Sequence, residues 1–303
     1  MRRRFVLVDV FADRPLAGNP LAVFPDAGGL EESAFQPIAR EMDHPATAFL
    51  LPASLPGAAF RLKIFSRERE IPFAGHSALG AHFVHAVESR LPLEEPVTRV
   101  AHVGHEGLFD VELEVAHGQI TLLRLKQRLP ETGPRLDTEQ VARVARAIGL
   151  EEEEIAATNQ PVRVVSTGLP VLIVPVATLD ALANARPRYG ELREILEGRE
   201  ATLVYAFTKE TRDSRSAAHA RAFDTVGSTE IPGAGAAAGA LSAYLVSQAA
   251  VTVRPVTPLV IEQGHAIARP STLYAEVRVE DDKIAQVVVG GRVIRVGEGT
   301  LDV

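Results

Sequence analysis

The sequence predicts an α+β protein of two pseudo-repeated halves, each a curved, mainly antiparallel sheet around a central apolar helix. Three observations predict it. The stretch Glu70-Ile71-Pro72-Phe73-Ala74-Gly75-His76-Ser77-Ala78 returns 160 positions later as Glu230-Ile231-Pro232-Gly233-Ala234-Gly235-Ala236-Ala237-Ala238, with six of nine positions identical. Each copy follows a strand-like segment, Arg61–Phe65 or His219–Phe223, and runs into small apolar residues, Leu79–Val87 or Gly239–Val246. A helix apolar on every side has to be surrounded, and the many short strand patterns elsewhere supply the surround.

The elements follow in order. Arg4–Phe11 and Leu21–Phe24 read as strands, separated by a turn at Gly18-Asn19-Pro20. Phe35, Ile38 and Ala39 recur at helical spacing in Glu31–Met42, and Asp43-His44-Pro45 ends that helix because the residue before proline avoids the α region. Ala46–Leu51 and Ala59–Phe65 are strands that lead to the first repeated turn and a helix over His76–Arg90. Val97–Val103, Leu108–Val115 and Gln119–Leu125 are further strands. The boundary between halves is set at the turn His117-Gly118, giving 1–118 and 119–303, with the final strands free to pack back on the first half.

In the second half Lys126–Asp137 reads as a passage, and Thr138–Ile148 as an amphipathic helix with Val141, Val144, Ala145 and Ile148 on one stripe. Val162–Ser166 and Val171–Val176 flank a turn at Thr167-Gly168-Leu169-Pro170. Short helices at Leu179–Asn184 and Arg188–Glu197 precede strands at Thr202–Phe207 and Ala217–Phe223. The second central helix, Gly235–Gln248, is followed by strands at Pro258–Glu262, Thr272–Val279, Ile284–Val289 and Arg292–Val296.

Composition excludes several functions. A net charge of −7 with no dense basic run beyond Arg2-Arg3-Arg4 argues against a nucleic-acid partner. Those arginines enter a strand pattern rather than a signal-peptide core, so a cytoplasmic protein is expected. The absence of cysteine removes disulfides, thiolate metal sites and cysteine catalysis. The uncharged run Ile231–Val253 reaches membrane-spanning length, but its Ala, Gly and Ser content reads as a buried helix, so no membrane partner is expected.

Four segments carry a family resemblance. Gly18-Asn19-Pro20-Leu21-Ala22-Val23, Phe73-Ala74-Gly75-His76, Val165-Ser166-Thr167-Gly168-Leu169-Pro170, and Glu262-Gln263-Gly264 with Arg269-Pro270-Ser271 resemble the PhzF-type phenazine-biosynthesis isomerases, in the right order along nearly the whole chain. The resemblance implies a diaminopimelate-epimerase-like fold with the site between the halves. It also implies a cofactor-free isomerase that moves a proton on a small amino or hydroxy carboxylic acid, and a homodimer. Its acid/base glutamate falls on Ala46, its aspartate on Ile231 and its serine on Ala236, so of those side chains His76 alone matches.

His76 at a helix start is expected to stay neutral and to exchange a proton or orient a carboxylate; the simpler alternative is a packing or capping histidine. Backbone N–H groups around Gly75, His76 and Ser77, and around Gly235 and Ala236, form two candidate carboxylate sites that need no side chain. Asn19 is a further candidate ligand contact, or an ordinary turn residue. His44, Asp43 and Asp224 are candidate substitutes for the missing glutamate, each weighed against a plain turn role. Glu70 and Glu230 suggest a carboxylate pair but suit structural places beside a helix entry. The spacing Gly233-x-Gly235-x-x-x-Gly239 lacks the strand of a dinucleotide site, and His82, His85, His102 and His105 lack the carboxylates of a metal site. The function that the resemblance implies is a cofactor-independent isomerase, and no metal is expected; the alternative is a pseudoenzyme that binds a small carboxylate without turnover.

Overall fold

A computed structural model describes residues 2–71, 75–89, 91–105 and 107–303. The expected turn residues Pro72, Phe73 and Ala74, and the expected helix end Arg90, lie outside the described residues. The chain forms two compact units, one taking the residues up to Lys126 with Gly290–Val303, the other Gln127–Val289.

The first unit opens with β1 (Arg2–Val10), β2 (Asn19–Phe24), α1 (Glu32–Met42), β3 (Thr47–Leu51), β4 (Ala58–Phe65) and α2 (Gly75–Glu88). It continues with β5 (Val97–Gly104), β6 (Gly107–Ala116) and β7 (Gln119–Lys126). The second holds β8 (Glu131–Arg135), α3 (Thr138–Ile148), α4 (Glu152–Ala156), β9 (Arg163–Ser166), β10 (Pro170–Pro175), α5 (Leu179–Asn184) and α6 (Tyr189–Leu196). There follow β11 (Leu203–Thr208), β12 (Ala218–Asp224), β13 (Thr229–Ile231), α7 (Gly235–Ser247), β14 (Val256–Gln263), β15 (Ser271–Glu280) and β16 (Lys283–Gly291). The last strand, β17 (Val293–Asp302), returns to the first unit and pairs antiparallel with β1 from Arg2↔Asp302 to Val10↔Val293.

Within each unit the strands join in the same succession. In the first, β1–β2 is antiparallel, β2–β3 parallel, β3–β4 antiparallel, β4–β5 parallel and β5–β6 antiparallel. In the second, β9–β10, β10–β11, β11–β12, β12–β14 and β14–β15 repeat that order of senses. The sheet of the first unit wraps α2, which packs on β1, β2, β3, β4, β6, β7 and β17. Gly80 makes the approach close: a Cβ there would stand 2.4 Å from Leu21 Cδ2. In the second unit α7 packs on β9, β10, β11, β14 and β15, and its residues from Ala237 to Val246 are all buried.

The opposite face of each sheet has its own cover. Under α1, Phe24, Phe35, Phe49 and Phe65 form an aromatic cluster, with Phe24 and Phe49 stacked at 5.1 Å. In the second unit Val144, Ile148, Leu182 and Leu192 of α3, α5 and α6 pack on Leu172, Val174 and Val204 of the strands.

Three sequence expectations need correction. The unit boundary lies at Lys126/Gln127 and not at Gly118, because β7 pairs with β6 from Val111↔Leu125 to Ala116↔Gln119. Lys126–Asp137 is not only a passage. It contains β8, paired with β9 at Thr132↔Val165; its polar, exposed sequence with Pro134 shows no alternation because it is an edge strand. Asn19 is not in a turn but opens β2 opposite Val10, and the turn belongs to Gly18 at φ 66, where a Cβ would stand 2.4 Å from the Val10 carbonyl oxygen. The acidic helix α4, capped reciprocally by Glu151 and Glu154, carries too few apolar residues to show a period.

Candidate active site

Each repeated stretch lies between a strand and a central helix. In the first unit Phe65 bridges to Glu70, Ile71 N–H donates to the Ile64 carbonyl at 2.8 Å, and α2 opens at Gly75. His76 is therefore the second residue of α2 and is half-buried, while Ser77 is fully buried with Oγ 3.3 Å from His76 Nε2. Burial pushes the His76 imidazole down to about 4, so it is neutral at pH 7. The positive end of the helix acts in the same direction.

In the second unit Phe223 pairs with Glu230, β13 ends at Ile231, and α7 opens at Gly235. No side chain caps α7, so its first backbone N–H groups, including that of Ala236, are not claimed by an N-cap residue. Gln263 holds the turn from one side. Its Nε2 donates to the Ile231 carbonyl at 2.6 Å, and its Oε1 accepts from Ala234 N–H at 3.2 Å and from Tyr205 O–H at 2.8 Å. Gln263 is fully buried, and burial pushes the Tyr205 phenol up, so it stays a donor. Gly264, at φ 77, is needed next door: a Cβ would stand 2.2 Å from the Arg269 carbonyl oxygen and 2.6 Å from that of Pro232. Arg269 N–H closes the loop onto the Gly264 carbonyl at 3.0 Å, so Arg269-Pro270-Ser271 shapes the support of the turn. Thr167 Oγ1 donates to the Ala236 carbonyl at 3.4 Å from the strand-connecting turn.

The candidate substitutes for a glutamate have local partners. Asp43 closes α1 in the left-handed region at φ 51 and pairs with Arg67 at 2.8 Å. His44 donates from Nδ1 to the Met42 carbonyl at 2.7 Å, the only sense a carbonyl allows, which leaves Nε2 as the acceptor of the neutral ring. Asp224 accepts from Val226 N–H at 3.0 Å and Gly227 N–H at 3.1 Å in the β12–β13 turn. Ala46 is fully buried just before β3, and strand alternation sets it on the face opposite Thr47 and Phe49.

Glu70 and Glu230 are not equivalent. Glu70 is half-exposed and 3.7 Å from Lys63, which also pairs with Glu32. Glu230 is buried against Arg221, with Nε to Oε1 at 3.1 Å and Nη2 to Oε2 at 2.7 Å, while Arg221 also donates to the Leu182 and Ala185 carbonyls. Both carboxylates thus have structural partners. Two further groups have structural roles. His219 Nδ1 lies 2.8 Å from Glu262 Oε2, and Glu262 accepts from Arg212 and Asp213 N–H, so this pair anchors the loop ahead of β12. Gly239 faces Thr167, Gln127 and Val289, so the third glycine of the dinucleotide-like spacing serves helix packing. Among the described residues no group of three His, Asp or Glu could hold a metal ion, and no helix is long and apolar enough to cross a membrane.

The profile of the PhzC-PhzF family, described as phenazine biosynthesis-like protein, matches residues 8–299. The chain belongs to that family. It is 34% identical over 311 residues to the uncharacterized isomerase mll1393 of Mesorhizobium japonicum, covering 99% of this chain and 98% of that one. It is 29% identical over 300 residues to the trans-2,3-dihydro-3-hydroxyanthranilate isomerase of Pseudomonas fluorescens, covering 98% of both. A solved PhzF-family protein of Bacillus anthracis matches over 100% of both chains at a TM-score of 0.89 and 25% identity. A hydroxyproline epimerase of Agrobacterium vitis shares the fold, with a TM-score of 0.68 at 13% identity over 99% of this chain and 91% of that one. The epimerase-like α+β fold expected of the PhzF family is thus the fold of this chain.

Proposed function

We propose that this PhzF-family isomerase works without a cofactor and moves a proton within a small amino or hydroxy carboxylic acid. The observation that carries the reading is His76, held neutral as the second residue of α2. A neutral imidazole can take a proton from carbon and return it to another carbon of the same ligand while the double bond shifts, which needs one group on one face. Inversion of a stereocentre needs a second group on the opposite face; Asp43 and Asp224 are tied to local partners, which leaves His44 Nε2 alone among the three substitutes. A proton shift, which needs no second group, is therefore the favoured class over epimerisation. The dihydro-hydroxyanthranilate of the Pseudomonas fluorescens relative is a small amino and hydroxy acid, which supports that substrate class. Backbone N–H groups at Gly75 and Ser77 in the first unit would hold a carboxylate, with Asn19 as a further contact, and those at Gly235 and Ala236 form a second candidate carboxylate site in the second unit. A cytoplasmic homodimer is part of the same proposal and rests on the family.

A second reading keeps the anion sites without turnover. The buried Ala46 favours it, since a methyl group stands where the resemblance expects an acid/base carboxylate. Solvent deuterium incorporation, followed by proton NMR over a panel of amino acids and dihydro-hydroxyanthranilate-like acids, separates the two. Incorporation that disappears in His76→Ala establishes the isomerase. Thermal stabilisation by an acid without incorporation establishes the binding protein, and exchange regained in Ala46→Glu would then locate the loss.

A further inference from the structure

β4 changes neighbour halfway along. Its first half pairs with β5, Phe60 opposite His102, and its end is bridged by Glu70 opposite Phe65. β12 forks in the same way, with Ala218 opposite Ile261, Ala220 opposite Gln263 and Phe223 opposite Glu230. Aligning Phe65 with Phe223 matches Phe60 to Ala218 and hence His102 to Ile261. Two residues on, Gly104 stands where Gln263 stands in the second unit. Gln263 fills its fork with a side chain bonded to Ile231 and Ala234. Gly104 has no side chain, and among the described residues the fork of the first unit holds a pocket of about 300 Å³ walled by Leu62, Ile64, Ile71 and Ala78.

One buried polar ring faces that pocket. His102 is 2% exposed and lies between two phenyl rings, Phe60 at 5.8 Å and Phe109 at 5.5 Å, tilted from them by 13° and 18°. Stacked on both faces, it can form hydrogen bonds only through its edge. Nδ1 lies 2.9 Å from His82 Nε2, while Nε2 lies 3.7 Å from where a Cβ on Gly104 would stand. Among the described residues, His82 Nδ1 is buried without a hydrogen-bond partner. The direction of the His82–His102 bond follows. Were His102 the donor, the hydrogen of His82 would sit on that orphaned Nδ1, and a buried N–H without an acceptor is the costlier orphan. His82 therefore donates from Nε2, and His102 carries its hydrogen on Nε2, facing the pocket. Burial holds both rings below the usual histidine range, His102 at about 4, so the donor is neutral at pH 7.

We propose that the β4–β5 fork is a binding site for a small carboxylic acid with an apolar body, its carboxylate accepting a hydrogen bond from His102 Nε2. Arg61 also lines the pocket and favours an anion, while the lining pair Lys63 and Glu70, 3.7 Å apart, offset each other. A single buried donor against aliphatic walls suits a carboxylate of a few carbons better than phosphate, which needs several donors around it. His76 and Ser77 do not line this pocket, so the site stands or falls independently of the isomerase reading.

The test is ring ¹⁵N–¹H NMR on the full chain labelled at histidine, titrated with isobutyrate, benzoate or inorganic phosphate. The expected result is a saturable movement of the His102 ring signals with the two organic acids and not with phosphate. That movement should be lost in Gly104→Gln, which places the side chain of the second unit in the fork, and with it the binding of both acids. Unmoved His102 signals in the wild-type chain would overturn the site whether or not the variant folds. So would an equal response to phosphate, a response retained in Gly104→Gln, or movement confined to His76, which would place the acid at the start of α2.

Discussion

Glu70 and Glu230 hold the same place in the repeated stretch and differ in electrostatic setting. Glu230 and Arg221 have side chains 7% exposed, and each compensates the desolvation of the other. Glu230→Ala leaves the guanidinium buried against carbonyls and the Phe223 ring with no counter-charge, which costs about 3–5 kcal/mol when one partner of a buried pair is removed. Glu70→Ala breaks a solvent-screened contact and should cost below about 1 kcal/mol. Denaturant midpoints of the two variants test the contrast, and equal losses would contradict it. The difference was not legible in the sequence because Arg221 and the carbonyls around it reach Glu230 from β12 and the end of α5. His76 was legible as a helix-start histidine, but the loss of solvent around its ring was not. With its ring at about 4, the rate of substrate deuterium exchange should stay flat through neutrality and fall only as the pH drops toward that value. A decline centred near 6.5 would show a solvated imidazole.

At the scale of elements, α7 begins without a side-chain cap, and Gln263 secures its entry from β14. Gln263→Ala removes the partners of Tyr205 O–H, Ala234 N–H and the Ile231 carbonyl together. Each buried group left unpaired costs about 1–3 kcal/mol, and relaxation of the turn makes the sum less than additive. The expected loss is therefore about 3 kcal/mol, with faster hydrogen exchange at the Ala234 amide than in α3. Unchanged exchange there would remove Gln263 from its bracing role. α3 has its own device, a reciprocal Asp137–Gln140 capping box and Gly149 at its end, and Asp137→Ala should cost only about 1 kcal/mol. Most elements could be read from sequence because a period marks them: alternation in β6, a three-to-four spacing in α1 and α3, unbroken small apolar residues in α7. Where a period is missing the reading failed, as at β8, which is paired along one edge and exposed. Gln263 belongs with these, since its place in the Glu262-Gln263-Gly264 segment does not say which turn it holds.

For the molecule as a whole, acidification sets two effects against each other. Net charge is −7 at pH 7 and reaches zero near 5.8, which relieves self-repulsion as the pH falls. Those charges lie largely on the surface, where screening over about 8 Å at physiological salt makes the relief small. Buried histidines work in the opposite direction. His76, His82 and His102 in the first unit have folded-state values below the unfolded 6.5, through burial in each case. Above 6.5 these rings are neutral in both states and contribute no pH dependence. Below it the unfolded chain binds protons that the folded chain does not, so stability falls with pH until the folded rings titrate, near 4 for His102. By pH 5 His102 alone should remove on the order of 2 kcal/mol, which exceeds what screened surface charges can return. Urea midpoints should therefore decline steadily from pH 7 to pH 5 instead of peaking near the isoelectric point. His102→Phe keeps an aromatic ring between Phe60 and Phe109 and removes one of the titrating groups, so its decline should be shallower than the wild type's. A maximum near 5.8, or an equal slope in the variant, would mean that the His82–His102 pair does not set the acid stability of this chain.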